Sequence, residues 1–253
     1  MKIYTYYEDI NFNLQEPLVE LWKRSWEAQG FEAVVLTKND ALTDPGYDRF
    51  VRDMEDIHMQ VIGEPIKDYG MSCYLRWLAY STEQGIMGNE KFFVSDYDII
   101  NTGVSPEQLL EIADCAGIHF LDHACPCLVY GSAAQFRKLC EDFVNVSYTN
   151  MDVLKSRNVP HWYHDQEFFI HNVFKDPVNL GDKLFNEGYY TSRIRPLIAE
   201  FPCVPEKDML GRIVHFSHSG TAQLREKFPS QFEQFESNDE MRIRLIENTL
   251  NLM

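Results

Sequence analysis

The segment Lys91-Phe92-Phe93-Val94-Ser95-Asp96-Tyr97-Asp98 runs apolar and then carries two carboxylates one residue apart. An unbroken apolar run of this kind reads as a central strand buried on both faces, which is the habit of a mostly parallel α/β sheet. Aspartate is depleted in strands, and an unpaired buried carboxylate is costly. Two of them at the carboxyl end of such a strand point to a cation held at the mouth of the sheet, where α/β folds bind ligands. On a strictly extended segment both side chains of Asp96 and Asp98 face the same way, so one cation can be gripped by both.

The flanking sequence supplies the rest of such a fold. Ile3 to Tyr7 predicts a strand, and a helix follows from about Pro17 with Leu18, Leu21, Trp22 and Trp26 on one face and Gly30 as its stop. Phe31 to Leu36 predicts the next strand, giving a βαβ opening within forty residues. Residues 40–68 are charged and irregular and read as loop with short helix. A strong helix is expected over Ser72–Gln84, and Ser105-Pro106-Glu107-Gln108 is a capping box opening a helix to about Asp114. Gly117–Leu121, Cys127–Tyr130 and Arg212–Phe216 read as strands, and Ser132–Phe143 and His164–Val173 as helices. Ser237-Asn238-Asp239-Glu240 caps a C-terminal helix bearing Met241, Ile243, Leu245, Ile246 and Leu250. No repeat or linker interrupts the 253 residues, so one domain is expected.

A formal charge of −16 disfavours nucleic acid and anionic membrane as partners, because no basic surplus exists to displace counterions. An acidic chain that binds a phosphorylated ligand must overcome repulsion, and a divalent cation does that locally. The six cysteines show no zinc-finger spacing and read as buried free thiols of a reducing compartment. With no signal-peptide core and no run of transmembrane length, a cytoplasmic protein without a membrane span is expected.

Four further groups carry candidate chemistry. His215, in Arg212-Ile213-Val214-His215-Phe216-Ser217-His218, can add a nitrogen ligand to the carboxylate pair, a mixed shell that suits Mn²⁺ better than Mg²⁺; His218 ranks below it. Asp165 and Gln166 open a helix where they face a bound sugar, although Asp165 serves equally well as a plain N-cap. Arg76 precedes the carboxylate strand and either pairs with an aspartate, reaches a phosphate or lies on the surface. Tyr6 and Tyr7 end the first strand and stack on a nucleobase or pack in the core, and Thr37 ends the second strand as a contact of the same kind.

In this order, Arg76, then Asp96 and Asp98, then Asp165 and Gln166, then His215, the chain resembles the GT-A-fold glycosyltransferases that use nucleotide sugars, nearest the group of glycogenin and the bacterial lipopolysaccharide galactosyltransferases. The resemblance implies a Rossmann-like, mixed but mostly parallel sheet flanked by helices over residues 1–253, with a nucleotide-binding half (1–104) and an acceptor-side half (105–253). It implies Asp96, Asp98 and His215 as ligands of Mn²⁺ or Mg²⁺. It implies Tyr6, Tyr7, Thr37, Arg76 and Asp96 as donor contacts, and Asp165 and Gln166 as the catalytic pair. The donor would be a nucleoside diphosphate sugar, a UDP-sugar first, and the acceptor a glycan or other hydroxyl. The family's histidine is followed by glycine and a Lys-Pro-Trp segment whose lysine meets the diphosphate; here His218-Ser219-Gly220-Thr221 has no such lysine, and Arg212 or Arg225 are the substitutes at hand. Retention of configuration is implied, with inversion expected instead if Asp165 acts as a base on the acceptor. The rival readings are a nucleotide-sugar-binding protein without turnover, a metal-dependent nucleotidyltransferase, and a hydrolase that adds Asp122 and His123 to the metal residues. The glycine-rich phosphate loop of a nucleotidyltransferase is missing from Tyr6-Tyr7-Glu8-Asp9.

Overall fold

The computed structural model describes residues 1–10, 15–82, 90–113, 116–121, 126–156, 163–172, 189–191, 198–200 and 209–253. In chain order the elements are β1 (Lys2–Tyr6), α1 (Glu16–Glu27), β2 (Glu32–Leu36), α2 (Lys38–Ala41), α3 (Tyr47–Ile62), α4 (Asp68–Ser81), β3 (Lys91–Ser95), β4 (Ile99–Asn101) and α5 (Pro106–Ala113). They continue as β5 (Ile118–Phe120), β6 (Leu128–Ser132), α6 (Ala133–Thr149), α7 (Met151–Ser156), α8 (Asp165–Asn172), β7 (Tyr189–Thr191), β8 (Ile198–Glu200), β9 (Ile213–His215), α9 (His218–Lys227), α10 (Pro229–Phe232) and α11 (Asn238–Leu250).

The main sheet runs β2-β1-β3-β6-β5-β7. Its pairings are parallel except for the two made by β6, which lies antiparallel to β3 and to β5. This is an open, mostly parallel sheet flanked by helices, consistent with the Rossmann-like class expected from the sequence. Alternation along the central strands sorts residues to two cores. Tyr4, Tyr6, Phe92 and Val94 join Trp77, Phe136 and Phe143 on the face covered by α4 and α6. Ile3 and Phe93 join Trp22, Trp26, Val214 and Ile246 on the other. Phe93 is fully buried, so truncating it to alanine costs about 3–5 kcal/mol.

Connectivity fixes where a ligand can enter. From β1 the chain turns through α1 to β2 at one edge, then recrosses to β3 on the other side of β1, with α1 and α4 in different cores. The carboxyl ends of β1 and β3 therefore flank the point where strand order reverses, the usual crevice of α/β sheets.

Residues 40–68 depart from the expectation of mostly loop. They contain α3, sixteen residues long, whose buried Phe50, Met54, Ile57 and His58 recur at helical spacing under a charged outer face. Gly63 ends it in the left-handed region at φ +85°. The charge density of that outer face hides the stripe from a composition-based reading. α9, also unforeseen, is set by Ser217, whose hydroxyl accepts from Gly220 N at 3.0 Å. The expected capping box at Ser105 is present, Ser105 N donating to Gln108 Oε1 at 2.9 Å and Ser105 Oγ accepting from Gln108 N at 3.4 Å, and the expected cap Ser237 accepts from Glu240 N at 3.1 Å. Cys127 and Cys140 are buried free thiols and Cys73 is half-buried; Cys115, Cys125 and Cys203 lie outside the described residues, as do Asp122 and His123.

A second sheet, β4-β9-β8, begins immediately past the carboxylates. β4 pairs antiparallel with β9, with Ile99 opposite His215. That register is held by Thr102 N to Arg212 O at 2.7 Å and Gly211 N to Thr102 O at 3.0 Å. Gly103 makes this possible: its φ is +148°, and a Cβ there would sit 2.8 Å from Gly211 Cα.

Candidate active site

Asp96-Tyr97-Asp98 is a turn and not the strictly extended segment the spacing suggested. Asp96 N donates to Cys127 O at 2.9 Å, carrying the β3–β6 ladder one residue further. Ile99 N then donates to Asp96 O at 3.1 Å and closes the turn that hands the chain from one sheet to the other. Two indoles of α1 brace it from below: Trp22 Nε1 reaches Ser95 Oγ at 2.8 Å and Trp26 Nε1 reaches Ile99 O at 2.9 Å. Phe216 N donates to Asp98 O at 2.9 Å, tying the turn to the end of β9.

Because the backbone turns, the two carboxylates meet different partners. Asp96 accepts from Arg76 Nη1 in a very short ion pair. Asp98 Oδ1 lies 3.7 Å from His215 Nε2, and its Oδ2 lies 3.5 Å from Arg242 Nη1. All these groups except His215 line a cleft of about 420 Å³ with Tyr6, Tyr7, Tyr97 and His218, a size that suits a small-molecule site. Residues of both halves of the chain thus meet at the switch point.

Beneath Asp96 lies Asp165, 1% exposed. Its Oδ2 accepts from Arg76 Nε at 2.9 Å, Arg76 Nη2 at 2.5 Å and Trp77 Nε1 at 2.7 Å. Burial would raise its pKa, but Arg76 and the bonds from His164 and Trp77 hold it below the usual carboxylate range. For Asp96 the balance tips the other way. Burial, with Asp98 close by, outweighs Arg76 and pushes its pKa up to about 6.

Tyr6 and Tyr7 line the cleft; the Tyr6 hydroxyl donates to Glu8 Oε2 at 3.0 Å, and the Tyr7 ring meets Tyr97 edge-on at 6.0 Å. Thr37 is not in the lining. It caps α2, its Oγ1 accepting from Asn39 N at 3.2 Å and donating to Asp40 Oδ2 at 3.0 Å. Gln166 is half-buried at the start of α8, its N donating to His164 Nδ1 at 3.2 Å, so the acceptor at this helix start is His164. Arg225 is used elsewhere, donating to Phe235 O at 2.7 Å, and neither it nor Arg212 lines the cleft. His218 is on the rim, 3.8 Å from Asp239 Oδ1.

Arg242 is the functional candidate the sequence reading passed over. It is 3% exposed, lines the cleft and contacts both Asp98 and Asp239. Its signal was present in α11, where the buried positions Arg242, Ile246 and Thr249 share one face at i, i+4 and i+7. An arginine on a buried stripe needs a carboxylate partner.

Two places can be tested for a cation. Cys73, His164 and Asp165 form a group whose ligand atoms all lie within 4.8 Å of one another and which could coordinate a metal ion; Asp96, Asp98 and His215 are not gathered that closely. The tight group has a sulfur, nitrogen and oxygen donor set, which suits a soft ion better than Mn²⁺ or Mg²⁺. Burial raises its thiol's pKa, and Asp165 Oδ2 is already taken by Arg76 and Trp77. The turn offers the better fit to a hard dication. Asp98 Oδ1 is buried with no hydrogen-bond partner, beside the His215 imidazole. Moreover, Asp96, Asp98, Asp165 and Asp239 set four negative charges against the two guanidinia of Arg76 and Arg242. One dication would balance that sum.

Among the described residues no helix is long and apolar enough to cross a membrane. A family model described as "Domain of unknown function (DUF8765)" matches residues 1–98. No curated protein matches the chain. Among solved structures, the chain is similar to one described as "crystal structure of a glycosyltransferase involved in the glycosylation of the major capsid of PBCV-1", at 10% identity, over 97% of this chain and 98% of that one, with a TM-score of 0.47.

Proposed function

We propose that the protein is a metal-dependent glycosyltransferase that moves a hexose from a nucleoside diphosphate sugar, a UDP-sugar first, to a hydroxyl of a glycan acceptor. The observation that carries this reading is the turn Asp96-Tyr97-Asp98 at the switch-point cleft, with one buried aspartate oxygen unpartnered beside a histidine. Asp98, His215 and the second oxygen of Asp96 would hold Mn²⁺ or Mg²⁺, which supplies Lewis-acid stabilisation of the departing diphosphate. These donors are less closely gathered than a bound ion would require, and catalytic contacts commonly tighten only when the ligand is bound.

The chain's own residues do the rest. The Tyr7–Tyr97 pair offers aromatic faces to a nucleobase, and Tyr6 lines the adjoining wall. Arg76, gripped by Asp165 and Asp96, presents a fixed positive charge at the cleft floor, so stabilisation of developing negative charge needs no reorganisation. Asp165 acts as the anchor of Arg76. With one oxygen accepting three donors and a depressed pKa, it makes a poor base, which favours retention over inversion. Gln166, next to it but outside the cleft lining, would take the far side of the anomeric carbon.

Slow hydrolysis of nucleoside diphosphate sugars tests this without an acceptor. Incubation with UDP-, GDP- and CDP-hexoses should release nucleoside diphosphate from one of them, with Mn²⁺ and not with EDTA. Thermal stabilisation by a nucleoside diphosphate without turnover on any acceptor would support a binding protein instead, and no stabilisation by any donor would refute the nucleotide-sugar reading.

A further inference from the structure

The two arginines of the cleft are held very differently. Arg76 bonds from all three of its nitrogens, at 2.5–2.9 Å to Asp165 and in a very short contact to Asp96, a tight charge-assisted network. Arg242 is more deeply placed, its side chain 3% exposed against 14% for Arg76, yet both of its carboxylate contacts are 3.5 Å, one to Asp98 and one to Asp239, and its Nε has no hydrogen-bond partner. Asp239 Oδ1 and Asp98 Oδ1 are likewise buried without a hydrogen bond. A guanidinium has five N–H donors in a rigid fork. A buried one with this much unused capacity is set to meet an acceptor the protein itself does not supply. The charged groups around it are Asp98, Asp239 and, through those carboxylates, His215 and His218.

Arg242 also stands where a cation would have to go. Its Nη1 faces Asp98 Oδ2, the other oxygen of the carboxylate whose Oδ1 is open beside His215. A dication on Asp98 would repel a guanidinium at that distance. The anion it accompanies would attract the same guanidinium. Resting on the nucleotide-sugar reading above, we propose that Arg242 serves two partners in turn: it holds Asp98 in the free protein, and it passes to the donor's diphosphate once a dication engages that carboxylate. Arg242 then competes with the metal but assists the nucleotide.

Opposite signs in two binding constants make this testable. Mn²⁺ binding alone is measured by the electron paramagnetic resonance signal of the free ion, and UDP binding at saturating Mn²⁺ by calorimetry, with GDP used if UDP does not bind. Wild type is compared with Arg242→Met, which keeps the apolar stem, and Arg242→Gln, which keeps a donor for Asp98 and guards against loss of the fold; melting curves confirm that each variant is folded. We expect Mn²⁺ alone to bind the variants about threefold tighter or more, since a competing charge is gone. The nucleoside diphosphate should bind them roughly 10- to 100-fold more weakly, the value of hydrogen bonds to a charged group. If both affinities fall together, Arg242 is a structural clamp and the proposal is wrong; it is equally wrong if neither changes. If wild type binds neither Mn²⁺ nor any nucleoside diphosphate, the nucleotide-sugar reading fails first and this inference goes with it.

Discussion

The cleft has a tight half and a loose half, built from the same residue types. Beneath the cleft, Asp165 Oδ2 alone serves three donors, from Arg76 and Trp77, at 2.5–2.9 Å, and only its contact to His164 is longer, at 3.4 Å. Around Asp98, His215, Arg242 and Asp239, contacts stretch to 3.5–3.7 Å and three buried polar atoms have no hydrogen bond. Buried polar atoms in folded proteins are nearly always satisfied. The tight half behaves as scaffold, and the loose half as a place kept for something that arrives. Asp96 sits at the seam, paired through one oxygen with Arg76 and itself part of the cleft lining.

Substitutions should therefore separate along that line. The largest effect on folding is expected at Asp165→Ala, which strands the Arg76 guanidinium and the Trp77 N–H; denaturant unfolding should show a loss of about 3–5 kcal/mol. Asp98→Ala should behave oppositely, retaining the fold while metal-dependent donor hydrolysis drops by roughly 10²–10³. A large stability loss at Asp98 with turnover intact would erase the distinction between the halves. Gly103→Ala tests the hinge between the two sheets. With φ at +148° and only 2.8 Å to Gly211, it should cost about 1–3 kcal/mol and loosen the register that sets His215 by Asp98.

The smallest effect is in pH. Asp96 has its pKa raised to about 6 in the folded chain, above the ~3.9 of a free aspartate, so the folded state holds its proton more strongly than the unfolded state does. The stability this lends is complete below pH ~4 and is lost as pH rises through about 6. Its side chain is 27% exposed, so solvent screening reduces the effect to the order of 1 kcal/mol. Melting temperatures of wild type should decline between pH 4 and pH 7 relative to Asp96→Asn, and Mn²⁺ should cancel that decline by binding the ionised form.

The fold's main lines could be read from the sequence because burial writes them there. Phe92-Phe93-Val94 and the Trp22–Trp26 face are apolar patterns whose period matches their element. The α3 stripe of Phe50, Met54 and Ile57 was masked by charged neighbours, and β4 is too short to announce itself. At the site, Arg76, Asp96 and Asp98 were legible as charges in or beside apolar runs. What could not be read was their partition. Whether two aspartates share a face depends on whether the chain continues straight or turns, and Ile99 N to Asp96 O decides that in three dimensions. Arg242 comes to Asp98 from 144 residues away along the chain, which no local pattern encodes. Thr37 illustrates the reverse: its local sequence suffices for a capping box with Asp40, and that occupies it.

The most direct test of the loose half as the cation site is anomalous diffraction from crystals soaked in Mn²⁺. We expect one peak between Asp98 and His215, with Arg242 drawn back from Asp98. A peak on Cys73, His164 and Asp165, or no ordered ion with Arg242 still facing Asp98, would contradict it.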